Sequence, residues 1–250
     1  MYPTLNGNAD DGEDDWIRPT TACWQSIRPA AQVSDVPQPP FRYAYPARLP
    51  DGSYLDLPLR RVAGAPGRAV ASLIANQASF EVVEALAAFM AELARPLSPQ
   101  VIVGLPTLGF AFAPLVAQRL GMPNFVPLGY SRKFWYDESL SVPVRSLTTP
   151  EAGKTLYLDP NLLPRLQGRR VVVVDDAISS GQTTSAALDL FAKVEGGVDI
   201  VGIVVAMLQG TAWRAHLAAT GAPWPQRVHG VFTSPRFAKA SEGWVPEASA

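Results

Sequence analysis

Phe80, Val83, Leu86, Ala87, Met90 and Leu93 lie along one stripe at helical spacing, a pattern that predicts a helix capped by Ser79 and stopped by Pro96. Downstream, short apolar runs alternate with amphipathic stretches. They predict strands at 101–105, 125–128, 171–175, 200–207 and 228–232, and helices at 110–120, 182–194 and 211–219. Val171-Val172-Val173-Val174 shows no polar alternation, which a strand tolerates when both faces of its sheet are covered. The predicted fold class is therefore α/β, a doubly wound, mostly parallel sheet with helices on both faces.

Ahead of this core, short extended pieces between residues 41 and 59 turn at Pro50-Asp51-Gly52 into Ser53-Tyr54-Leu55-Asp56-Leu57, the pattern of a small N-terminal β-rich flap or hood. Residues 129–168 carry few regular signals apart from a strand at 156–158, and a connection of that length implies a lid or a hairpin of its own. Residues 1–40 join an acidic run, Asp10 to Asp15, to Pro29, Pro37, Pro39 and Pro40. Such a stretch buries too little apolar surface to offset its ordering entropy, so a flexible or loosely docked arm is expected, with Trp16 and Trp24 as anchors. Residues 41–250 read as one domain with its core at about 78–235, closed by Gly243-Trp244-Val245-Pro246 packed as a tail.

Composition narrows the partners. The 250 residues are 48% hydrophobic with a formal net charge of -1, and the clustered Lys and Arg that nucleic acid or an anionic membrane would require are lacking. The expected partner is a small molecule. Cys23 is the only cysteine, which leaves no internal disulfide and fits a reducing compartment. The acidic, polar N-terminus has no basic-then-apolar order, and no apolar run approaches the roughly 18 residues of a membrane helix; the expected location is the cytoplasm. His216 and His229 have no metal-ligand spacing and are expected to be structural or at the surface.

The strand at 171–175 runs into Asp175-Asp176-Ala177-Ile178-Ser179-Ser180-Gly181-Gln182-Thr183-Thr184, after which a helix begins. Small hydroxyl residues and a glycine at a helix N-terminus leave backbone N–H groups free to converge on an anion, with hydroxyls as further donors. A phosphate suits this cradle. Asp175 and Asp176 would repel that phosphate, so they are better placed to accept hydrogen bonds from sugar hydroxyls, directly or through metal-bound water. Neither a Gly-Lys-Ser/Thr phosphate loop nor a Gly-x-Gly-x-x-Gly turn follows a strand, which excludes the common nucleotide triphosphate and dinucleotide motifs. The string from Val171 to Thr183 resembles the phosphoribosyl-diphosphate motif of type I phosphoribosyltransferases. In that family the acidic pair lies at the ribose hydroxyls and the loop holds the 5-phosphate. The resemblance assigns Asp175 and Asp176 to the ribose and, through water, to Mg²⁺, and assigns Ser179, Ser180, Gly181, Gln182, Thr183 and Thr184 to the phosphate. Ala177 is smaller than the aliphatic residue usual at its place.

The strand at 101–105, followed by Pro106-Thr107-Leu108-Gly109 and a helix, resembles the diphosphate loop of the adenine phosphoribosyltransferase branch, so Thr107, Leu108 and Gly109 are its counterparts here. That branch carries an arginine where this chain has Leu108, which leaves backbone amides and Thr107 as the donors. Val126 to Lys133 is similar to the family segment that ends in a basic pair near the diphosphate, making Arg132 and Lys133 candidate anion ligands. Phe134-Trp135-Tyr136 after them could pack on the core or close over a ligand. Glu151 falls where the branch has a mobile-loop glutamate that assists the base, although Ala152 stands where the family has Tyr. The resemblance covers roughly residues 80–207. It implies transfer of the 5-phosphoribosyl group from phosphoribosyl diphosphate to a nitrogenous base, a purine by branch, with Asp175, Asp176, Lys133 and Glu151 as catalytic residues, Mg²⁺ as cofactor and a homodimer as assembly. A noncatalytic sensor of phosphoribosyl diphosphate and a transferase for a nonpurine acceptor remain open alternatives.

Overall fold

The computed structural model of the chain describes residues 20–33, 36–144 and 153–248; Trp16 and Glu151 lie outside them. Three antiparallel strands come first, β1 (Ala44–Arg48), β2 (Tyr54–Arg61) and β3 (Arg68–Ala71). The apolar stripe forms α1 (Phe80–Ala94), whose first turn is capped by Ser79 Oγ accepting the Val82 N–H at 3.2 Å. Pro96 sits in a 3-10 turn over Arg95–Leu97 that ends the helix. Next come β4 (Val101–Gly104), a 3-10 turn over Leu108–Ala111, α2 (Ala113–Arg119) and β5 (Val126–Pro127). The long connection contains an antiparallel hairpin, β6 (Ser141–Val144) and β7 (Lys154–Tyr157), and then α3 (Leu163–Leu166). The chain continues through β8 (Arg170–Ile178), α4 (Gln182–Phe191), β9 (Asp199–Gln209), α5 (Ala212–Ala218) and β10 (Val228–Ser234). It closes with β11 (Arg236–Ala240) and β12 (Gly243–Pro246).

The central sheet has the order β10-β9-β8-β4-β5, and its pairings are all parallel. The consecutive valines of β8 divide between two cores. Val172 and Val174 pack with Val82, Leu86 and Met90 of α1 and Val116 of α2, whereas Val171 and Val173 pack with Ala187 and Leu190 of α4 and Leu217 of α5. Successive side chains of a strand point to opposite faces, so a run of four valines fills both layers of a doubly wound sheet. β8 continues to Ile178 rather than ending at Asp175, because its pairing with β9 extends through Ala177↔Met207 and Ile178↔Leu208.

The hood is a second sheet, in the order β1-β2-β3-β11-β12. The expectation of an N-terminal flap is thus extended: β11 and β12 return from the C-terminal end to complete it, and Gly243-Trp244-Val245-Pro246 is a strand rather than a packed tail. The sheet curls until Phe41, just before β1, exchanges backbone hydrogen bonds of 2.8 and 2.7 Å with Trp244 in β12. Closing a sheet in this way pairs groups that would otherwise be left along exposed edges. Inside it, Phe41, Tyr45 and Phe237 meet edge to face with centroids 5.4–6.1 Å apart. The segment at 20–33 is tied to the hood as well. Trp24 is buried and donates its indole N–H to the Ser72 carbonyl at 3.0 Å, and Arg28 pairs with Asp56 at 2.6 Å.

Trp244 is 1% exposed and closes the hood through its backbone. Trp244→Ala should therefore lower the free energy of unfolding by roughly 3–5 kcal/mol, the usual cost of emptying a large aromatic site. Urea denaturation followed by fluorescence and circular dichroism measures it, and a change within 0.5 kcal/mol, of the order seen for surface substitutions, would show that β12 is dispensable to the hood.

Candidate functional site

In chain order the five parallel strands run β4, β5, β8, β9, β10, so β5 lies on one side of β4 and β8 on the other. The order reverses between β4 and β8, and open α/β sheets bind ligands at such a reversal, beyond the carboxyl ends of the strands. Both sequence-predicted loops leave from this point. The register Gly104↔Val174, continued by the Leu105 N–H to the Val174 carbonyl at 2.9 Å, sets the end of β4 beside Val174 and Asp175, while β8 runs on to Ile178.

The loop after β4 turns sharply over Leu108–Ala111 instead of starting the predicted helix at once. Gly109 is buried against the end of β8: a Cβ at this position would lie 2.9 Å from Asp175 Oδ1 and 2.9 Å from the Val174 carbonyl oxygen. Only a residue without a side chain lets the loop backbone approach the acidic pair so closely. Thr107 is exposed and Leu108 half-buried on the same turn, whose Pro106–Thr107 peptide is cis. Asp175 is 8% exposed, and its Oδ1 accepts the Asp176 N–H at 2.9 Å. Burial, with the Asp176 charge beside it, holds the Asp175 carboxyl well above the ordinary carboxylate range, and burial shifts Asp176 in the same direction.

Beyond β8, Ser179 and Ser180 are exposed, and Gly181 caps α4 at φ +81°, a left-handed conformation that favours glycine. Trp213 and His216 of α5 crowd this glycine from behind. The glycine cap has no side chain to accept from the first-turn amides; the Gln182 N–H donates instead to the Ser180 hydroxyl at 3.4 Å, and the start of α4 keeps the amide and dipole geometry that suits an anion. Gln182 and Thr183 are half-buried beside them, and Thr184 is buried. Asp175, Asp176, Gly109 and the residues from Ser179 to Thr184 are thus gathered at one end of the sheet.

The basic pair is arranged differently. Arg132 and Lys133 sit on an exposed loop, and the Arg132 guanidinium pairs with Glu138 at 2.8 Å. The aromatic run next to them neither packs fully nor covers the site: Phe134 is 95% exposed, and Trp135 donates to Asp159 at 3.1 Å. Tyr130, by contrast, enters the site. Its hydroxyl lies beside the Thr183 side chain; burial, the largest cause, and both aspartates raise the phenol's pKa, while Thr183 lowers it. Lys154 of β7 places Nζ 4.9 Å from the centroid of the same ring. Neither position carries a sequence signal, because a lone aromatic after a strand and a lysine in a hairpin acquire a location only through tertiary packing.

Among the described residues, no group of three or more His, Cys, Asp or Glu side chains could hold a metal ion. Two adjacent carboxylates do fit Mg²⁺ of the kind that retains waters and takes its remaining oxygens from a phosphorylated ligand.

A family model, the phosphoribosyl transferase domain, matches residues 69–222. The chain is 30% identical over 175 residues to an adenine phosphoribosyltransferase of Frankia casuarinae, covering 70% of this chain and 87% of that protein. It is 36% identical over 124 residues to one from Oenococcus oeni, covering 48% of this chain and 65% of that protein. Among solved structures, the enzyme of Giardia lamblia, complexed with 9-deazaadenine, superposes with a TM-score of 0.55 at 19% identity, over 71% of this chain and 93% of that one. Adenine phosphoribosyltransferase from Thermoanaerobacter pseudethanolicus gives 0.54 at 18% identity, over 71% and 95%. At such identities the structural likeness speaks for the fold.

Gly109→Ala should reduce stability by roughly 1–3 kcal/mol, as overpacking does, and weaken binding of a phosphorylated sugar by moving the loop off Asp175. Denaturation and calorimetry together check this, and unchanged values in both would refute the close approach. A second expectation concerns pH. A carboxyl whose folded pKa is raised destabilises the fold above that raised value, and the penalty disappears as pH falls to the unfolded value. Asp175→Asn should therefore raise the melting temperature at neutral pH, with the gain over wild type shrinking through the acid range. A gain that is constant with pH would assign it to packing instead.

Proposed function

The chain belongs to the phosphoribosyl transferase family, and from that premise we propose that it transfers the 5-phosphoribosyl group of phosphoribosyl diphosphate to a purine base with release of diphosphate. The observation that carries the reading is the meeting of two loops at the sheet's reversal, with Gly109 pressed against Asp175. A sugar at the acidic pair would have a phosphate cradle at α4 on one side and the amides of the 107–109 turn on the other. That is the layout of a sugar phosphorylated at both ends. The purine acceptor is supported by the relatives' being adenine phosphoribosyltransferases and by the 9-deazaadenine bound in the Giardia structure.

In this reading Asp175 and Asp176 accept from the ribose hydroxyls and hold the ring while positive charge develops at the anomeric carbon. Holding base and sugar in line supplies much of the rate, and donors aimed at the departing diphosphate supply much of the rest. Mg²⁺ held by Asp175 and Asp176 through water would neutralise charge on the diphosphate. The hood lies across the same end of the sheet, where Gln209 at the end of β9 donates to the Ala71 carbonyl of β3 at 2.7 Å. In this reading the hood, held by that contact, serves as a wall of the acceptor site and keeps water from the sugar. Leu108, in place of the branch's arginine, also suits a protein that binds the donor without transferring it.

Calorimetric titration with phosphoribosyl diphosphate and Mg²⁺, followed by an assay of diphosphate release with a panel of purine and pyrimidine bases, separates these readings. Release is expected with a purine. Asp175→Asn combined with Asp176→Asn should lower kcat/KM on the order of 10²-fold, the scale of lost positioning. Donor binding without release for any base would favour the sensor, and absence of donor binding would remove the reading altogether.

A further inference from the structure

The residues expected to present positive charge to the ligand do not all do so. Arg132 is engaged with Glu138 at 2.8 Å, and both lie exposed on the loop. A different cation, Lys154 of β7, stands over the ring of Tyr130. Gly129 and Tyr157 exchange backbone hydrogen bonds of 3.0 and 2.8 Å, which ties the chain after β5 to the hairpin strand β7. The hairpin is in turn held to the end of α4, where Lys193 Nζ donates to the Ser141 carbonyl at 2.7 Å. This arrangement puts Tyr130 between the hairpin and the first turn of α4. On one side its hydroxyl meets Thr183; on the other, Lys154 Nζ rests 4.9 Å from its ring centroid.

We propose that Lys154 and Tyr130 form a wall of the 5-phosphate cradle, Lys154 supplying a cation to the phosphate and Tyr130 aiming the Thr183 hydroxyl at it. The proposal rests on the reading of α4's N-terminus as the 5-phosphate site. A threonine hydroxyl has one proton and two lone pairs. When it accepts from Tyr130, its proton is free to donate to a phosphate oxygen. A tyrosine phenol is protonated at neutral pH, and burial moves its pKa further up, so it can donate. The ring also limits the wandering of the lysine ammonium, since a cation over an aromatic face is held by the ring quadrupole. Lys154 acts at the phosphate and so is distinct from the donors around the leaving diphosphate.

The test is calorimetric titration of the full chain, in wild type, Lys154→Met, Lys154→Arg and Tyr130→Phe, with ribose 5-phosphate and separately with diphosphate and Mg²⁺. Lys154→Met should weaken ribose 5-phosphate about tenfold, the scale of one charge-assisted hydrogen bond, and leave diphosphate unchanged. Lys154→Arg should restore affinity to within about threefold, since the charge is kept. Tyr130→Phe, which keeps the ring, should show an intermediate loss. Lys154 is exposed, so Lys154→Met should melt with the wild type, and a thermal scan checks that each variant is folded. Wild-type affinity for ribose 5-phosphate should fall with added KCl more steeply than that of Lys154→Met. Equal ribose 5-phosphate affinity in wild type and Lys154→Met overturns the proposal while leaving the transferase reading standing, as does a loss confined to diphosphate. Binding of neither ligand by the wild type removes both.

Discussion

The pairing of β4 with β8 is the constraint on which the candidate site depends. Its parallel register, Val101↔Val171 through Gly104↔Val174, sets the end of β4 beside Asp175 of the longer β8, and the chain leaves the two strands in opposite directions. After β4 it passes to α2, which packs in the layer with α1; after β8 it passes to α4, in the other layer. The loops diverge above the sheet and leave a crevice between the helix starts. Slipping β8 by one residue would exchange Val172 and Val174 with Val171 and Val173 between the two cores. It would also carry Asp175 away from Gly109, so packing and chemistry are set by the same register.

Burying a carboxylate at this point costs stability, and the structure accepts the cost. Asp175 has the Asp176 N–H as a partner but also the Asp176 charge as a neighbour, and burial together with that charge raises its pKa. A pair held in this way is poised to accept from ligand hydroxyls or from the water shell of a divalent cation, either of which replaces the lost solvation. The free protein is strained electrostatically where the ligand-bound protein would not be.

The hood shows a different economy of the chain. Strands from both ends build one sheet, and Phe41 and Trp244 close it although they are 203 residues apart in sequence. Gln209 links that sheet to the parallel one through the Ala71 carbonyl. The hood is therefore anchored to the end of β9, the strand that pairs with β8 beside the acidic pair.

Most of the parallel core was legible before any coordinates. The α1 stripe, the Ser79 cap, the valines of β8 and the Asp175 to Thr184 string are local patterns whose physics acts over a few residues: burial period, helix-end amides and glycine's backbone freedom. The loop at 107–109 was legible as a turn, but the reason Gly109 must be glycine was not, because the atoms it avoids belong to β8. The same holds for Trp244, which forms a strand only because Phe41 offers it a partner. Tyr130 and Lys154 came into view only in the folded chain, and Arg132, legible as a cation, proved to face Glu138. Sequence determined which residues are candidates for phosphate- and sugar-binding chemistry, since that follows from residue type and local spacing. Tertiary structure decided which of them meet, since distance between side chains remote in sequence is set by strand register and layer packing.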